Sequence, residues 1–153
     1  MLRETFQEKL KQAMHAKDDV AVSTLRLIIA AMKDRDIAAR SKGNWDGIKD
    51  DEILSMLQSM VKQRQESIKM YEVGKRQDLA DREAAEIRII ETFLPKQLSE
   101  TEVRGLIDES IKAVGAAGLK DMGKVMAEMK AKYAGQLDFS KASGWVKERL
   151  MAG

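Results

Sequence analysis

Apolar residues along this chain recur at steps of three and four, and no stretch alternates apolar with polar. That spacing lines one side of an α-helix and argues against strands, so the chain predicts an all-α fold. Leu2, Phe6, Leu10 and Ala13 to Met14 form a first stripe. Asp18 and Asp19 interrupt it and predict the cap of a second helix, which carries Val22, Leu25, Ile28, Ile29 and Met32 and ends among residues 38–40. Residues 41–47, rich in turn formers, predict a loop. Asp50, Asp51 and Glu52 open a third helix, where carboxylates meet unpaired amides and the positive end of the helix dipole. Its stripe runs through Ile53, Met56, Leu57, Met60, Val61, Ile68 and Tyr71 to Gly74, which is expected to stop the helix in a left-handed conformation. Residues 78–94 predict a fourth helix.

The only proline, Pro95, divides the pattern. Three glycines precede it and seven follow, which separates a long-helix amino-terminal domain, residues 1–94, from a small three-helix carboxy-terminal domain, residues 95–153. A proline disfavours α conformation in the residue before it, so the fourth helix should end at Leu94. Beyond it, Ser99-Glu100-Thr101-Glu102 has the spacing of a capping box. Val103, Ile107, Ile111 and Val114 form the next stripe, ending at Gly115. A sixth helix from about Asp121 buries Met122, Val125, Met126, Met129 and Tyr133. The last presents Ala142, Trp145, Val146 and Leu150.

Composition narrows the chemistry. With no cysteine among 153 residues there is no disulfide, thiolate metal site or cysteine nucleophile, and the single histidine, His15, cannot make a histidine-rich zinc site. His15 closes the first helix and reads as a solvated or capping residue. No Gly-x-Ser-x-Gly elbow, phosphate-cradling glycine loop or dinucleotide fingerprint occurs. Asp34 with Asp36, and Asp50 with Asp51, read as solvated helix edges or caps. The residues therefore predict no catalytic group, no metal and no cofactor. The amino terminus carries charges every few residues, and the run from Leu27 to Met32 is too short to span a membrane, so the cytoplasm is the default location.

One local conflict stands out. Arg64 falls on the apolar stripe of the third helix and Glu83 on that of the fourth. An antiparallel hairpin turning near residues 74–77 sets Arg64 opposite Glu86, one turn from Glu83. The pattern predicts an interhelical ion pair between Arg64 and Glu83 or Glu86 whose contribution is register more than stability. The alternative is an arginine whose stem passes the stripe to reach water. Charge has its own distribution: residues 1–94 carry 17 basic and 17 acidic side chains, whereas from Lys120 onward there are seven and four. Lys120, Lys124, Lys130, Lys132, Lys141 and Lys147 are thus candidates for a phosphate-tracking surface, set against a merely solvated lysine-rich face.

Five segments carry a family resemblance. They are Leu25–Lys33 (LRLIIAAMK), Met60–Ile68 (MVKQRQESI), Arg76–Ile87 (RQDLADREAAEI), Phe93–Ser99 (FLPKQLS) and Lys120–Met126 (KDMGKVM). In this order the chain resembles the YqeY family, whose carboxy-terminal part is related to the tail of the GatB subunit of tRNA-dependent amidotransferase. The resemblance implies an all-helical amino-terminal domain and a compact three-helix tail that in the amidotransferase contacts tRNA. It also brings a family label, carbon–nitrogen ligase with glutamine as amide donor, for which the residues supply no mechanism. Two positions depart from the pattern: Ala127 stands where the family often has glycine, and Gln136 replaces an arginine. Glutamine cannot neutralise a phosphate, so the second change weakens an inherited RNA contact. Gly123 and Lys124 match, and Gly123 reads as a point of close helix packing.

Two functions follow as expectations. One is an accessory protein that binds tRNA or a tRNA-dependent amidotransferase complex. The other is a helical protein–protein interaction module. A contiguous lysine patch on the last three helices would favour the first, and an exposed apolar strip the second.

Overall fold

The computed structural model describes residues 1–152. The chain is all-helical, with seven α-helices, one 3-10 turn and no strand among the described residues. These fall into two compact units, Met1–Leu94 and the part from Pro95 onward.

The first unit holds α1 (Leu2–His15), α2 (Asp19–Arg40), α3 (Asp50–Val73) and α4 (Gln77–Glu91). α3 and α4 form an antiparallel hairpin, α1 pairs with α2, and α2 also packs on α4. Phe6, Leu25, Ile28, Met32, Ile53, Met56, Leu57 and Ile90 bury their side chains together. Phe93 meets Phe6 edge to face, with ring centroids 4.9 Å apart. Thr24 is buried in α2, and its hydroxyl finds no hydrogen-bond partner among the described residues.

The second unit holds α5 (Glu100–Val114), the 3-10 turn Leu119–Asp121, α6 (Met122–Tyr133) and α7 (Phe139–Met151). Val103, Ile107, Val125, Met129, Leu137, Ala142, Val146 and Leu150 make its core. Ser99 and Glu102 form the capping box of α5 in full. The Leu98 N–H donates to the Gln136 carbonyl at 2.8 Å, tying the entrance of α5 to the α6–α7 loop.

Helix ends explain where local expectation and structure part. Gly74 is not left-handed: its φ is −79°, and the next residue, Lys75, takes φ 58°. The N–H groups of Lys75 and Arg76 donate back to the Glu72 and Tyr71 carbonyls, a Schellman closure displaced by one residue. Lys17 closes α1 in the same way at φ 57°, with Asp18 N–H bonded to the Ala13 carbonyl. Asp18 then caps α2 by accepting from the Ala21 N–H. α4 ends at Glu91, three residues before the expected stop. From Thr92 to Leu94 each N–H reaches back three residues, tightening the last turn ahead of Pro95.

The loop between α2 and α3 is clamped. Arg3 donates to both carboxylate oxygens of Asp36, at 2.7 and 2.6 Å, and to the Ile48 carbonyl at 2.8 Å. The Ile48 N–H donates to the same carboxylate at 2.9 Å. Asp36 is thus no solvated helix edge. Its partners lie in α1 and in the loop, where local spacing cannot place them. The Arg3 hydrogen bonds, opposed by desolvation and helped by the Ile48 amide, hold the Asp36 carboxyl below its ordinary value of 3.8. Gly47 takes φ +93° beside this clamp, and a Cβ there would lie 2.6 Å from Arg3 Nη2.

Two outcomes follow for stability, both read by chemical denaturation. Gly47→Ala should cost about 2 kcal/mol, through a disfavoured φ and a displaced clamp, while Lys75→Gly should gain about 0.5 kcal/mol by relieving a left-handed lysine. Because folding lowers the Asp36 pKa, its contribution is present above the ordinary carboxylate value and is lost as pH falls through the lowered one. Wild type should therefore lose more stability on acidification than Asp36→Asn; equal acid sensitivity would refute the clamp's electrostatic role.

Candidate functional site

The α3–α4 hairpin brings Arg64, Glu86 and Glu83 together. Arg64 Nε donates to Glu86 Oε2 at 2.8 Å and lies 3.9 Å from Glu83 Oε2. Arg64 Nη1 also donates to the Met60 carbonyl at 3.1 Å. The Arg64 and Glu86 side chains are only 13% and 11% exposed, so water does little to screen the pair. Arg82 approaches the other Glu86 oxygen at 3.7 Å. No displaceable ligand position is evident in this set: a carbonyl and two carboxylates share one guanidinium, which is an arrangement for fixing helix register.

The six candidate lysines of the second unit are spread around their elements. At about 100° per residue, Lys130 and Lys132 flank opposite edges of the buried Val125–Met129 stripe of α6. Lys141 and Lys147 likewise flank the Ala142–Val146–Leu150 stripe of α7 from either side. Lys132 is bound at 2.6 Å to Glu128, which pushes its pKa up, and Lys124 Nζ sits 3.8 Å from Asp121. Among the described residues, Lys120, Lys130, Lys141 and Lys147 have no carboxylate within ion-pair reach. Gly123 is exposed, and a Cβ there would meet nothing within 4 Å. It is not a close-packing glycine, contrary to the expectation, because α6 directs that side to solvent.

A cleft of about 340 Å³ opens between the amino-terminal ends of α5 and α7, lined chiefly by Leu98, Glu100, Val103, Leu137, Lys141 and Trp145. Its carboxylates are engaged. Arg104 holds Glu100 at 3.0 Å while lying 5.2 Å from the Trp145 ring centroid, and Asp138 caps α7 through the amides of Ser140 and Lys141. Among the described residues no three His, Cys, Asp or Glu side chains group as metal ligands, and no helix is long and apolar enough to cross a membrane. His15 is exposed at the end of α1.

The surface that sequence reading missed is the outer side of α2. Its core stripe, Leu25, Ile28, Ile29 and Met32, is buried. Almost opposite lie Val20, Leu27 and Ile37, exposed by 37%, 47% and 59%. Ser23, Ala30 and Asp34 fill the positions between them, so the row steps three and four residues from 20 to 37. The signal was present: α2 has more apolar residues than one stripe can hold. Arg26, Lys33 and Arg40 run beside the row at every seventh residue, all exposed. Arg40 also lies 5.9 Å from the ring of Trp45, which is 74% exposed.

Fold and surface together describe an all-helical protein of two compact units, with an apolar row facing solvent on one of them. Residues 3–150 match the Yqey-like protein family, and the chain belongs to it. Among curated proteins it is similar to "Altered inheritance of mitochondria protein 41, mitochondrial" of three yeasts. The protein of Vanderwaltozyma polyspora is 30% identical over 126 residues, covering 76% of this chain and 64% of that protein. Those of Kluyveromyces lactis and Saccharomyces cerevisiae are 30% and 27% identical, covering 58% and 85% of this chain and 45% and 66% of theirs. The chain thus spans between about half and two thirds of these relatives' length. Their names overturn the cytoplasmic expectation, since all three are named as mitochondrial. Charges near the amino terminus do not argue against that location, because mitochondrial addresses are amphipathic and arginine-rich.

The Arg64 cluster generates a test by double-mutant cycle. Arg64→Met alone should cost about 2 kcal/mol, because it leaves Glu86 buried beside Glu83 without its cation, whereas Arg64→Met with Glu86→Leu should return most of that loss. Additive losses in urea titrations would show that the two side chains do not act as a pair.

Proposed function

We propose that this protein is a helical binding module that holds a protein partner on the outer side of α2 and performs no chemistry of its own. One observation carries the reading: α2 buries one apolar stripe and leaves a second row in water, with Val20, Leu27 and Ile37 all more than a third exposed. A soluble helix ordinarily carries polar residues there, and an unburied apolar row is what a partner helix would cover. We take the two units as separate domains, 1–94 and 95–153, the second standing in for the tail-like module of the resemblance.

Binding of tRNA, or association with a tRNA-dependent amidotransferase, is the second reading. It is favoured by Lys120, Lys130, Lys141 and Lys147, cations with no ion-pair partner among the described residues. Their distribution on opposite flanks of α6 and α7 counts against one continuous phosphate track. The carbon–nitrogen ligase label receives no support from any residue arrangement described above.

The readings separate in two measurements. Leu27→Asp with Ile37→Asp should leave thermal stability within about 0.5 kcal/mol of wild type, as exposed positions do; a large drop would show the row to be structural and end the proposal. Bulk tRNA at two salt concentrations should bind weakly and respond little to Lys120→Ala with Lys130→Ala. Tight binding that falls steeply with salt and drops several-fold in that variant would put the RNA reading first.

A further inference from the structure

The outer side of α2 also specifies what kind of partner it would take. The outer row Val20, Ser23, Leu27, Ala30, Asp34 and Ile37, exposed except for the half-buried Ser23, alternates steps of three and four, the seam of a two-helix contact. From Val20 to Ile37 it extends about 25 Å, enough for a partner helix of some five turns. Ala30 and Ser23 are small, so a facing backbone can approach near the middle of the row. Along one edge run Arg26, Lys33 and Arg40, spaced by seven; along the other stand Ala31 and Ala38, which carry no charge, while Thr24 of that edge is buried. Asp19 precedes the basic edge, and Asp34 lies within the row itself. Asp36 is turned to Arg3 and unavailable. Neither Arg26 nor Lys33 has a carboxylate within ion-pair reach among the described residues, so two cations of the edge stand exposed without counter-charge.

Resting on the protein-binding reading, we propose that α2 docks an amphipathic helix of another protein whose apolar face covers Val20, Leu27 and Ile37. Acidic residues of that helix lie along Arg26, Lys33 and Arg40, and a lysine, arginine or asparagine meets Asp34. Opposite charges across such a seam select partner and orientation. A second copy of this chain fits poorly. Antiparallel self-pairing that sets Val20 against Ile37 sets Arg26 against Lys33, like charge on like charge, at the centre of the seam and meets opposite charge only at its ends, Asp19 against Arg40, and parallel self-pairing offers Arg26 and Lys33 only Ala31 and Ala38.

The test uses the full chain as bait for a displayed library of 25-residue helices with leucine fixed at the seam positions and the flanking and central positions free. Enriched helices should be rich in Glu and Asp at the flanks. Their affinity, measured with synthetic peptides, should fall about tenfold or more for Arg26→Glu with Lys33→Glu and recover for peptides with lysine at the flanks. Binding should vanish in Leu27→Asp with Ile37→Asp, whose circular dichroism and melting confirm the fold. Helices with basic or neutral flanks that still need Leu27 and Ile37 would overturn the acidic partner while keeping the docking face. Failure to enrich any helix sensitive to Leu27→Asp with Ile37→Asp would overturn both. Concentration-dependent self-association in sedimentation, abolished by that same variant, would assign the face to a second copy and overturn the proposal.

Discussion

Burial of one side of α2 is the constraint on which the rest depends. Leu25, Ile28, Ile29 and Met32 pack into the core of the first unit, and α1 and α4 lie against them. A helix pinned along one side has no rotational freedom left. Every residue opposite the core stripe must then face water or a partner, and the row from Val20 to Ile37 is held there whatever its hydrophobicity. An isolated α2 could bury either stripe. In the folded chain only one is available, which turns an excess of apolar residues into a surface with a direction.

Two polar contacts refine that arrangement without driving it. The Arg3–Asp36 clamp ties α1, the end of α2 and the 41–49 loop together, with Gly47 leaving room for the guanidinium. The Arg64–Glu86 pair sets the register of the α3–α4 hairpin. Neither replaces apolar burial as the source of stability, since ion pairs near a protein surface largely exchange hydration for attraction. Their value is positional: each admits one alignment of helices that hydrophobic stripes alone leave free to slide by a turn.

The second unit works by a different balance. Its helices are short, and its three-helix core is closed by caps and cross-ties such as Arg149 to Asp108 at 2.7 Å and Leu98 N–H to the Gln136 carbonyl. Its lysines are distributed by helical periodicity to both flanks of each stripe. That pattern solvates the surface around a small dry core and dilutes any single electropositive face.

Much of this was legible in the chain itself. Three- and four-residue apolar steps mark the helices, Asp18 and Ser99 mark caps, and Gly115 and Pro95 mark ends, because each acts through neighbours within one turn. The family was legible too, since its segments are contiguous words in order. What the tertiary structure decided were relations across distance: that Asp36 meets Arg3 rather than water, that Lys75 and not Gly74 takes the left-handed turn, that Gly123 packs on nothing, and which of the two apolar rows of α2 remains outside. Local periodicity ranks the faces of a helix by hydrophobicity. Only the shape of the surrounding helices determines which of them is buried, because burial is a property of neighbours that the helix does not itself encode.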